Sequence, residues 1–313
     1  MMKVLVTGAA GFIGFHVTKK LAAEGRRVVG IDSMRAELYS RSIKKSRARQ
    51  LKEFDSVEVI EEDLLCINFE QVLSDVDVVV HLAALPGQSV SWTKFDAYVD
   101  CNLRATQRLA QATQSSAVSR VVHVSTSSVY GAAPNGDEAQ ACAPISPYGV
   151  TKFAAEGIWQ AYNQGPAYST ACLRLFSVYG PEQRPDMGFH KMIKAGLRGD
   201  VFPVHGGHQA RDFTYVADVA DAVSAAIDAS LDTFETFNIA GGETRPLSDS
   251  VRIIEEELGV RLLLKETASP LGNQITTTAD CSKARRLLGY APKISLEAGL
   301  QRQVEWMRGV VEL

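Results

Sequence analysis

The sequence predicts an α/β fold built on a doubly wound parallel sheet, with a smaller C-terminal lobe interleaved with it. Short runs rich in β-branched residues alternate with amphipathic stretches: Lys3–Val6, Val28–Ile31, Val57–Ile60, Val76–His81, Val121–Ser125 and Thr170–Leu175. Strands that alternate with helices form βαβ crossovers, which place the strands parallel in one sheet. The run VDVVVHLAA is apolar at successive positions, as expected of a strand covered by helices on both faces.

A change in composition near residue 176 predicts the boundary between the two parts. Glycine and proline are more closely spaced over residues 180–207, which is typical of loops. A helical pattern at about 216–229 and a strand at Thr236–Ile239 are expected to return to the main sheet. We therefore expect a main-sheet domain over residues 1–175, with return elements near 215–240, and a substrate lobe over residues 176–313.

Composition and charge exclude several classes of protein. With 46% hydrophobic and 22% charged residues among 313, the chain has the composition of a soluble globular protein. A net charge of −3 gives no reason to expect nucleic acid as a partner, and no apolar run is long enough to cross a membrane. Five cysteines without a CxxC pair indicate reduced thiols in a cytoplasm. The histidines form no HExxH motif or cluster, so no metal site is expected.

One short segment is unusually basic. It carries Arg41, Lys44, Lys45, Arg47, Arg49 and Lys52. These residues are spread around successive helical turns, with Ile43 and Leu51 as candidates for the inward face. The pattern indicates a solvated helix face rather than a nucleic-acid patch.

The first strand runs directly into a glycine-rich turn, VTGAAGFIG, which contains Gly8, Gly11 and Gly14. Glycine permits the tight turn, lets the backbone approach a pyrophosphate, and lets the following helix pack close to the strand. The N-terminus of that helix then favours phosphate charge. This pattern predicts a Rossmann-type dinucleotide site.

The second strand ends in Asp32, at the distance where an acidic residue binds the adenosine ribose of a dinucleotide. A carboxylate there repels a 2′-phosphate, so NAD is favoured over NADP, although Arg35 nearby leaves NADP open. Asp63, which follows the third strand, is a candidate contact for the adenine.

The segment SPYGVTK predicts a helix capped by Ser146, with Pro147 at its first position and with Tyr148 and Lys152 four residues apart on one face. Tyrosine ionises near pH ~10 and needs a nearby positive charge to act as a base at neutral pH. Lys152 supplies an ammonium group for this purpose and can also bind a nicotinamide ribose. We therefore expect Tyr148 to be a general base.

A cluster of hydroxyl side chains, Ser125 to Ser128, follows the fifth strand. Ligands of open α/β sheets bind at the carboxyl ends of the strands, so this cluster is expected at the site. Thr126 is then placed to share a hydrogen bond with Tyr148 and a reacting hydroxyl.

Together these motifs resemble the extended short-chain dehydrogenase/reductase family and, within it, the nucleotide-sugar epimerases. The resemblance covers almost the whole chain, through VTGAAGFIG, HLAA, STSSVYG, SPYGVTK, LRLFSVYGP, RPDM, RDFTYVADVADA and SKARRLLGY. It is closest to the UDP-glucuronate 4-epimerase branch, which shares RPDM and the segment with Tyr39, Ile43, Lys44, Arg47 and Leu51.

This resemblance implies two further sets of site residues. Contacts to NAD are expected from Phe12, Ile13, Leu64, Leu82, Ala83, Ala84, Asn102, Ser125, Phe176 and Val178, besides the glycines, acids, Tyr148 and Lys152 named above. Contacts to a UDP-sugar are expected from Pro86, Thr126, Ser127, Ser128, Ser177, Arg184, Arg211 and Asn273. Arg211 is the candidate for the pyrophosphate because a planar guanidinium binds phosphate through two hydrogen bonds.

The residues after Thr126 distinguish between the family's reactions. Dehydratases carry an Asp-Glu pair there, and UDP-glucuronate decarboxylases carry Thr-Ser-Glu, whereas this chain has Ser127 and Ser128. Neutral hydroxyl donors suit a substrate carboxylate and do not drive its loss. We therefore expect a C4 epimerase that converts UDP-glucuronate to UDP-galacturonate through a transient 4-keto intermediate.

Three positions depart from this branch: Ser89 replaces an arginine, Asn273 replaces an aspartate, and Phe15 replaces a serine. The first two leave open a UDP-glucuronate decarboxylase or a 4-epimerase of a neutral or modified UDP-sugar. A non-catalytic NAD-sensing protein is the alternative from another class. The resemblance also implies a homodimer, for which Leu103, Leu109 and Ala112 are candidate interface residues unless they belong to the core.

Overall fold

Fourteen strands lie within residues 1–163, 168–206 and 209–310, which the computed structural model describes. They are β1 (Lys3–Thr7), β2 (Arg27–Ile31), β3 (Val57–Ile60), β4 (Val78–His81), β5 (Arg120–Thr126), β6 (Ser169–Leu175), β7 (Val178–Tyr179), β8 (Val201–His205), β9 (Ala210–Asp212), β10 (Thr214–Tyr215), β11 (Phe234–Ile239), β12 (Thr244–Pro246), β13 (Leu263–Thr267) and β14 (Thr276–Thr277). Seven of them form one parallel sheet in the order β11-β6-β5-β4-β1-β2-β3. The predicted doubly wound parallel sheet is therefore confirmed, with small shifts at the strand ends.

Twelve α-helices connect these strands in the described ranges. They are α1 (Phe12–Ala23), α2 (Arg41–Leu51), α3 (Phe69–Val72), α4 (Gln88–Ser91), α5 (Phe95–Tyr98), α6 (Ala105–Gln114), α7 (Pro147–Tyr162), α8 (Gly188–Arg198), α9 (Val216–Asp228), α10 (Leu247–Leu258), α11 (Ser282–Leu288) and α12 (Leu296–Val310). A π-helical turn, Val99–Arg104, joins α5 to α6, and a 3-10 turn, Ser127–Tyr130, follows β5.

Helices cover the main sheet on both faces because alternate strand residues point to opposite sides. Val4 and Val6 of β1 pack in one hydrophobic cluster with residues of α1 and α9. Leu5, between them, packs in the other cluster with residues of α6 and with Trp159 of α7. The three side chains are fully buried. This two-sided burial explains why the strands have continuous apolar sequences.

Elements of the second half of the chain return to the main sheet. Strand β11 pairs in parallel with β6, and α9 packs against α1. The remaining elements form a third hydrophobic cluster, in which α8, α10 and α12 meet around Phe189, Ile254 and Leu300. The small sheets β7-β10, β8-β13 and β12-β9-β14 belong to the same half of the chain. The last three residues of the lobe expected over 176–313 lie outside the described residues.

The basic segment forms α2, but the prediction of a solvated helix face is wrong for Arg47. Arg41, Lys45 and Arg49 are exposed, whereas Arg47 is only 1% exposed. Its guanidinium is buried because the carboxylate of Glu182 neutralises it and nearby carbonyl groups accept its N–H groups. Of the predicted inward residues, Leu51 is fully buried.

Over the described residues, no helix combines the length and the apolar character needed to cross a membrane. The five cysteines are free thiols. No group of three or more His, Cys, Asp or Glu side chains is arranged to hold a metal ion in the part of the chain that the structure describes.

Candidate active site

A cleft of about 820 Å³ opens at the carboxyl ends of the main strands and extends to the C-terminal lobe. Nearly all of the predicted site residues line it: Gly8, Gly11, Phe12, Ile13, Gly14, Asp32, Asp63, Leu64, Leu82, Ala83, Ala84, Pro86, Ser125, Thr126, Ser127, Ser128, Tyr148, Lys152, Ser177, Val178, Arg184, Arg211 and Asn273. The cleft therefore brings together residues from both halves of the chain.

Two residues predicted to contact the cofactor, Asn102 and Phe176, are not part of the lining. The side chain of Asn102 binds both the N–H and the C=O of Leu85 and donates to the Thr151 hydroxyl at 3.0 Å. It thus fixes the loop after β4 against α7. The ring of Phe176 is fully buried in the core beside Tyr130. Neither residue lines the cleft, and their contacts with the cofactor stay predictions.

The glycine-rich turn has the geometry that a dinucleotide phosphate requires. Gly8 has φ +72°, in the left-handed region, and a Cβ on Gly14 would lie 2.0 Å from the carbonyl oxygen of Gly8. Only glycine allows α1 to begin so close to β1. Gly11, the N-cap residue of α1, has no side chain that could accept a hydrogen bond from the first turn. The N–H groups of that turn therefore suit an anion in the cleft.

The charges at the end of β2 favour NAD over NADP. Asp32 is buried, accepts a hydrogen bond from the Met34 N–H at 2.8 Å and pairs with Lys44 at 3.2 Å. Arg35, which left NADP open, pairs with Asp63 at 2.8 Å and with Glu37 at 3.2 Å. Its charge is therefore already neutralised. Asp63, the candidate adenine contact, is the partner of Arg35 in this arrangement, and its contact with the adenine stays a prediction.

Helix α7 begins as predicted. The Ser146 hydroxyl accepts a hydrogen bond from the Gly149 N–H at 3.1 Å, and Pro147 occupies the first turn. Tyr148 and Lys152 follow on the face that lines the cleft. The cap thus fixes where the helix starts and which side chains it presents to the substrate.

Tyr148 is buried among groups that act on its pKa in opposite directions. Burial raises the pKa of its phenol, while a hydrogen bond with Thr126 and the charge of Arg184 oppose the rise. The ammonium group of Lys152 donates to the Val124 carbonyl at 2.8 Å, and burial lowers its pKa to about 8. Thr126 and Arg184 therefore favour the phenolate, and the expected contribution of the Lys152 ammonium group stays a prediction.

Hydroxyl groups line the turn after β5. Thr126 Oγ1 donates to Ser128 Oγ at 3.2 Å and accepts from the Ser128 N–H at 3.2 Å. Ser125 donates to Glu156, which Arg174 holds through both carboxylate oxygens behind the strand. The turn therefore offers neutral donors to the cleft.

Each carboxylate that lines the cleft in the described part of the chain is bound to a cation. Asp32 pairs with Lys44, Glu37 and Asp63 pair with Arg35, and Asp186 pairs with Arg184. An ion pair holds each of these carboxylates on its partner, so none of them is directed as a free group at the sugar. No unpaired acid of the described residues lies in the cleft to promote elimination or decarboxylation.

Arg211 is a cation whose hydrogen-bond partners are all neutral. Its N–H groups donate to the carbonyl groups of Ala210, Gln274 and Ile275 and to the amide oxygen of Asn273. Burial lowers its pKa to about 10. Among the described residues no carboxylate pairs with it. A partly buried cation without an acidic partner suits a phosphate ligand.

Two glutamines that the sequence did not single out support the hydroxyl turn. The amide of Gln274 donates to the carbonyls of Ser127 and Gly131, at 3.3 and 2.6 Å, and the amide of Gln88 donates to Ser128 Oγ at 3.3 Å. Both line the cleft. A single glutamine far from its partner in sequence belongs to no motif, so no sequence signal identified either residue.

The dinucleotide-binding edge of the sheet, with Thr126, Tyr148 and Lys152 gathered beside it, defines a short-chain dehydrogenase/reductase site. A model of the NAD dependent epimerase/dehydratase family matches residues 4–240, and the chain belongs to this family. The cofactor of the family is NAD.

Individual relatives match over the whole chain. A UDP-glucuronate 4-epimerase of Thermodesulfobacterium geofontis is 33% identical, over 99% of this chain and 97% of that protein. An uncharacterized UDP-glucose epimerase of Bacillus subtilis is 38% identical, over 99% of both chains. The crystal structure of a UDP-glucuronic acid 4-epimerase from Bacillus cereus, in complex with UDP-glucuronic acid and NAD, superposes with a TM-score of 0.95 at 37% identity, over 99% of this chain and 100% of that one.

Removal of the phenol hydroxyl tests the proton-transfer role of Tyr148. We expect Tyr148→Phe to lower kcat by about 10²–10⁴-fold, since the variant has no group to take the proton. Because the hydroxyl contributes only one hydrogen bond, with Thr126, the melting temperature is expected to change little. The measurement is steady-state kinetics beside thermal unfolding. A folded variant that retains wild-type kcat would contradict the assignment.

Proposed function

We propose that this protein is an NAD-dependent UDP-glucuronate 4-epimerase, an isomerase that inverts C4 to give UDP-galacturonate through a transient 4-keto intermediate. The observation that carries the proposal is the hydroxyl-lined turn Thr126–Ser128 beside Tyr148, in a cleft whose described carboxylates are all bound to cations. The relatives described above, named as UDP-glucuronate 4-epimerases, support it.

The cofactor half of the cleft fits NAD. The glycine-rich turn and the first turn of α1 would hold the pyrophosphate, and Asp32 would bind the adenosine ribose. Lys152 would hold the nicotinamide ribose. When bound, NAD accepts the C4 hydride of the sugar and later returns it. The other predicted cofactor contacts line the same region of the cleft, except Asn102 and Phe176.

Tyr148 takes the proton from the sugar O4 and later returns it. The Thr126 hydroxyl, whose proton otherwise goes to Ser128 Oγ, turns to donate to the phenolate, and the charge of Arg184 also favours the phenolate. Since the proton returns to the same oxygen, the reaction needs no second acid or base. The two faces of the sugar ring can then be served by one tyrosine if the 4-keto sugar turns over within the cleft.

The substrate carboxylate is held by neutral donors. Ser127, Ser128 and Ser177 offer hydroxyl groups without the opposing charge that an acidic residue would bring. Dehydration needs an acid and base pair at C5 and C6, and the paired carboxylates of the cleft do not provide one. The carboxylate is therefore retained while C4 is inverted.

We propose that the two parts of the chain bind different ligands, with residues 1–175 holding NAD and residues 176–313 holding most of the nucleotide of the substrate. Arg211 would bind the diphosphate, and Asn273, which accepts a hydrogen bond from it, would lie beside the uridine ribose. Arg184 and Pro86 would contact the sugar.

The free thiols of the chain support a cytoplasmic location.

The substrate assignment predicts a single product. Incubation of the holoenzyme with UDP-glucuronate is expected to give an equilibrium mixture with UDP-galacturonate, resolved by proton NMR. UDP-glucose serves as the neutral comparison and is expected to react with a much lower kcat/KM, since it cannot use the carboxylate donors. Release of CO₂ with a UDP-pentose would establish a decarboxylase, and faster turnover of UDP-glucose would establish an epimerase of neutral sugars.

We also propose that the protein is a homodimer formed through α7. Val150 and Phe153 of α7 are 47% and 42% exposed, and Trp92 and Phe95, beside α4 and in α5, are 48% and 45% exposed. Such neighbouring apolar side chains suit burial against a second copy. Leu109, a candidate from the sequence, is fully buried in the core and cannot contribute.

A charge placed in this face is expected to separate the subunits. Phe153→Glu should convert a dimer to a monomer in light scattering after gel filtration, since an unpaired carboxylate would be buried in the interface. Leu263→Glu, on the exposed strand β13, is the matched control and should leave the dimer intact. A monomeric wild-type protein, or a dimeric Phe153→Glu variant, would refute the proposed interface.

A further inference from the structure

The buried guanidinium of Arg47 connects two segments of the site that are far apart in sequence. Its Nη1 donates to the carbonyl of Ala10, within the glycine-rich turn, at 3.4 Å. Its Nε donates to the carboxylate of Glu182 at 3.0 Å, and its Nη2 donates to the Glu182 carbonyl at 2.5 Å. One planar group thus spans the cofactor turn and the segment that follows β7.

Glu182 has a backbone conformation that needs such support. Its φ is +64°, in the left-handed region that non-glycine residues rarely adopt. The residues immediately after it bring Arg184 and Asp186 into the cleft. His16 of α1 makes a second tie, since its Nε2 lies 2.9 Å from the Pro181 carbonyl. The segment 181–187 is therefore anchored to the cofactor side of the cleft at two points.

We propose that Arg47 is a positioning residue, which couples the glycine-rich cofactor turn to the segment 181–187 and so holds Arg184 toward Tyr148. This inference rests on the proposed function for its kinetic consequences, but the link between the two segments stands on the geometry alone. Neither Arg47 nor Glu182 lines the cleft, so both act through the residues they hold.

The groups around Tyr148 give this coupling a specific signature. Its phenol is faced by Thr126 on the turn after β5, by Arg184 on the segment 181–187, and by the ring of Tyr98 from α5 at 6.2 Å. Arg184 carries a positive charge that lowers the pKa of Tyr148. Lys152 of α7 is the other cation on this side, and the Val124 carbonyl, outside the segment 181–187, holds it. If Arg184 moves away, the pKa of Tyr148 rises, and a higher pH is needed to form the phenolate that acts as the base.

The conservative variant Arg47→Lys tests the coupling in the holoenzyme. Lysine keeps the charge but cannot span three acceptors. We expect the KM for UDP-glucuronate to rise about tenfold or more, and the acid limb of the pH profile to move about one unit to higher pH. Less NAD should remain bound after gel filtration, measured by absorbance of the released cofactor. Arg49→Lys, an exposed arginine on the same helix, is the matched control and should match the wild type.

A second variant, Glu182→Gln, separates the two ends of the clamp. It keeps the Arg47 contact with Ala10 but weakens the contact with the segment, so the KM and the pH limb should shift while NAD retention stays at the wild-type level. A folded Arg47→Lys protein with wild-type NAD retention and an unmoved acid limb would overturn the proposal. If the wild type does not turn over UDP-glucuronate, the proposed function fails, but NAD retention by Arg47→Lys and Glu182→Gln still decides the coupling.

Discussion

The pairing of the cleft's carboxylates with cations is the constraint on which the chemistry of this site depends. A 4-keto sugar has acidic C5 hydrogens, and a 4-keto uronic acid readily loses its carboxylate, so any free base or acid nearby would divert it. Lys44, Arg35 and Arg184 take up the four carboxylates that the described residues present. The groups beside Tyr148 are then hydroxyl donors, and the reaction that stays available to the intermediate is the return of its hydride.

The same pairing shapes the binding of both ligands. Because Asp63 and Glu37 pair with Arg35, this guanidinium offers no free charge to a 2′-phosphate, in agreement with the NAD of this family. Arg211 donates to neutral acceptors and has no acidic partner among the described residues, so the proposed diphosphate would replace some of those acceptors. A nucleotide anchored there leaves the sugar as the part that moves, which is what inversion by a single tyrosine requires. The distribution of paired and unpaired arginines thus separates the fixed end of the substrate from the mobile end.

Local features of the site were predictable from sequence because neighbours along the chain determine them. The glycine spacing, the Ser146 cap and the i, i+4 relation of Tyr148 and Lys152 are of this kind. Long-range contacts were not predictable: Arg47 meets a glutamate 135 positions away, and Gln274 meets Ser127 147 positions away. Lys152 donates to the carbonyl of Val124, which lies on a strand whose end was predictable from the sequence. The direction of the Lys152 side chain, however, depends on packing.

Turnover in D₂O shows whether the intermediate is protected from acid and base chemistry. We expect the UDP-galacturonate formed from UDP-glucuronate to contain no deuterium at C4 or C5 and no CO₂ to be released, as read by NMR and mass spectrometry. The C4 hydrogen returns from the cofactor, and no base of the cleft reaches C5. Deuterium at C5, or CO₂ beside a UDP-pentose, would show that a free acid or base acts on the intermediate and that the paired carboxylates do not protect it.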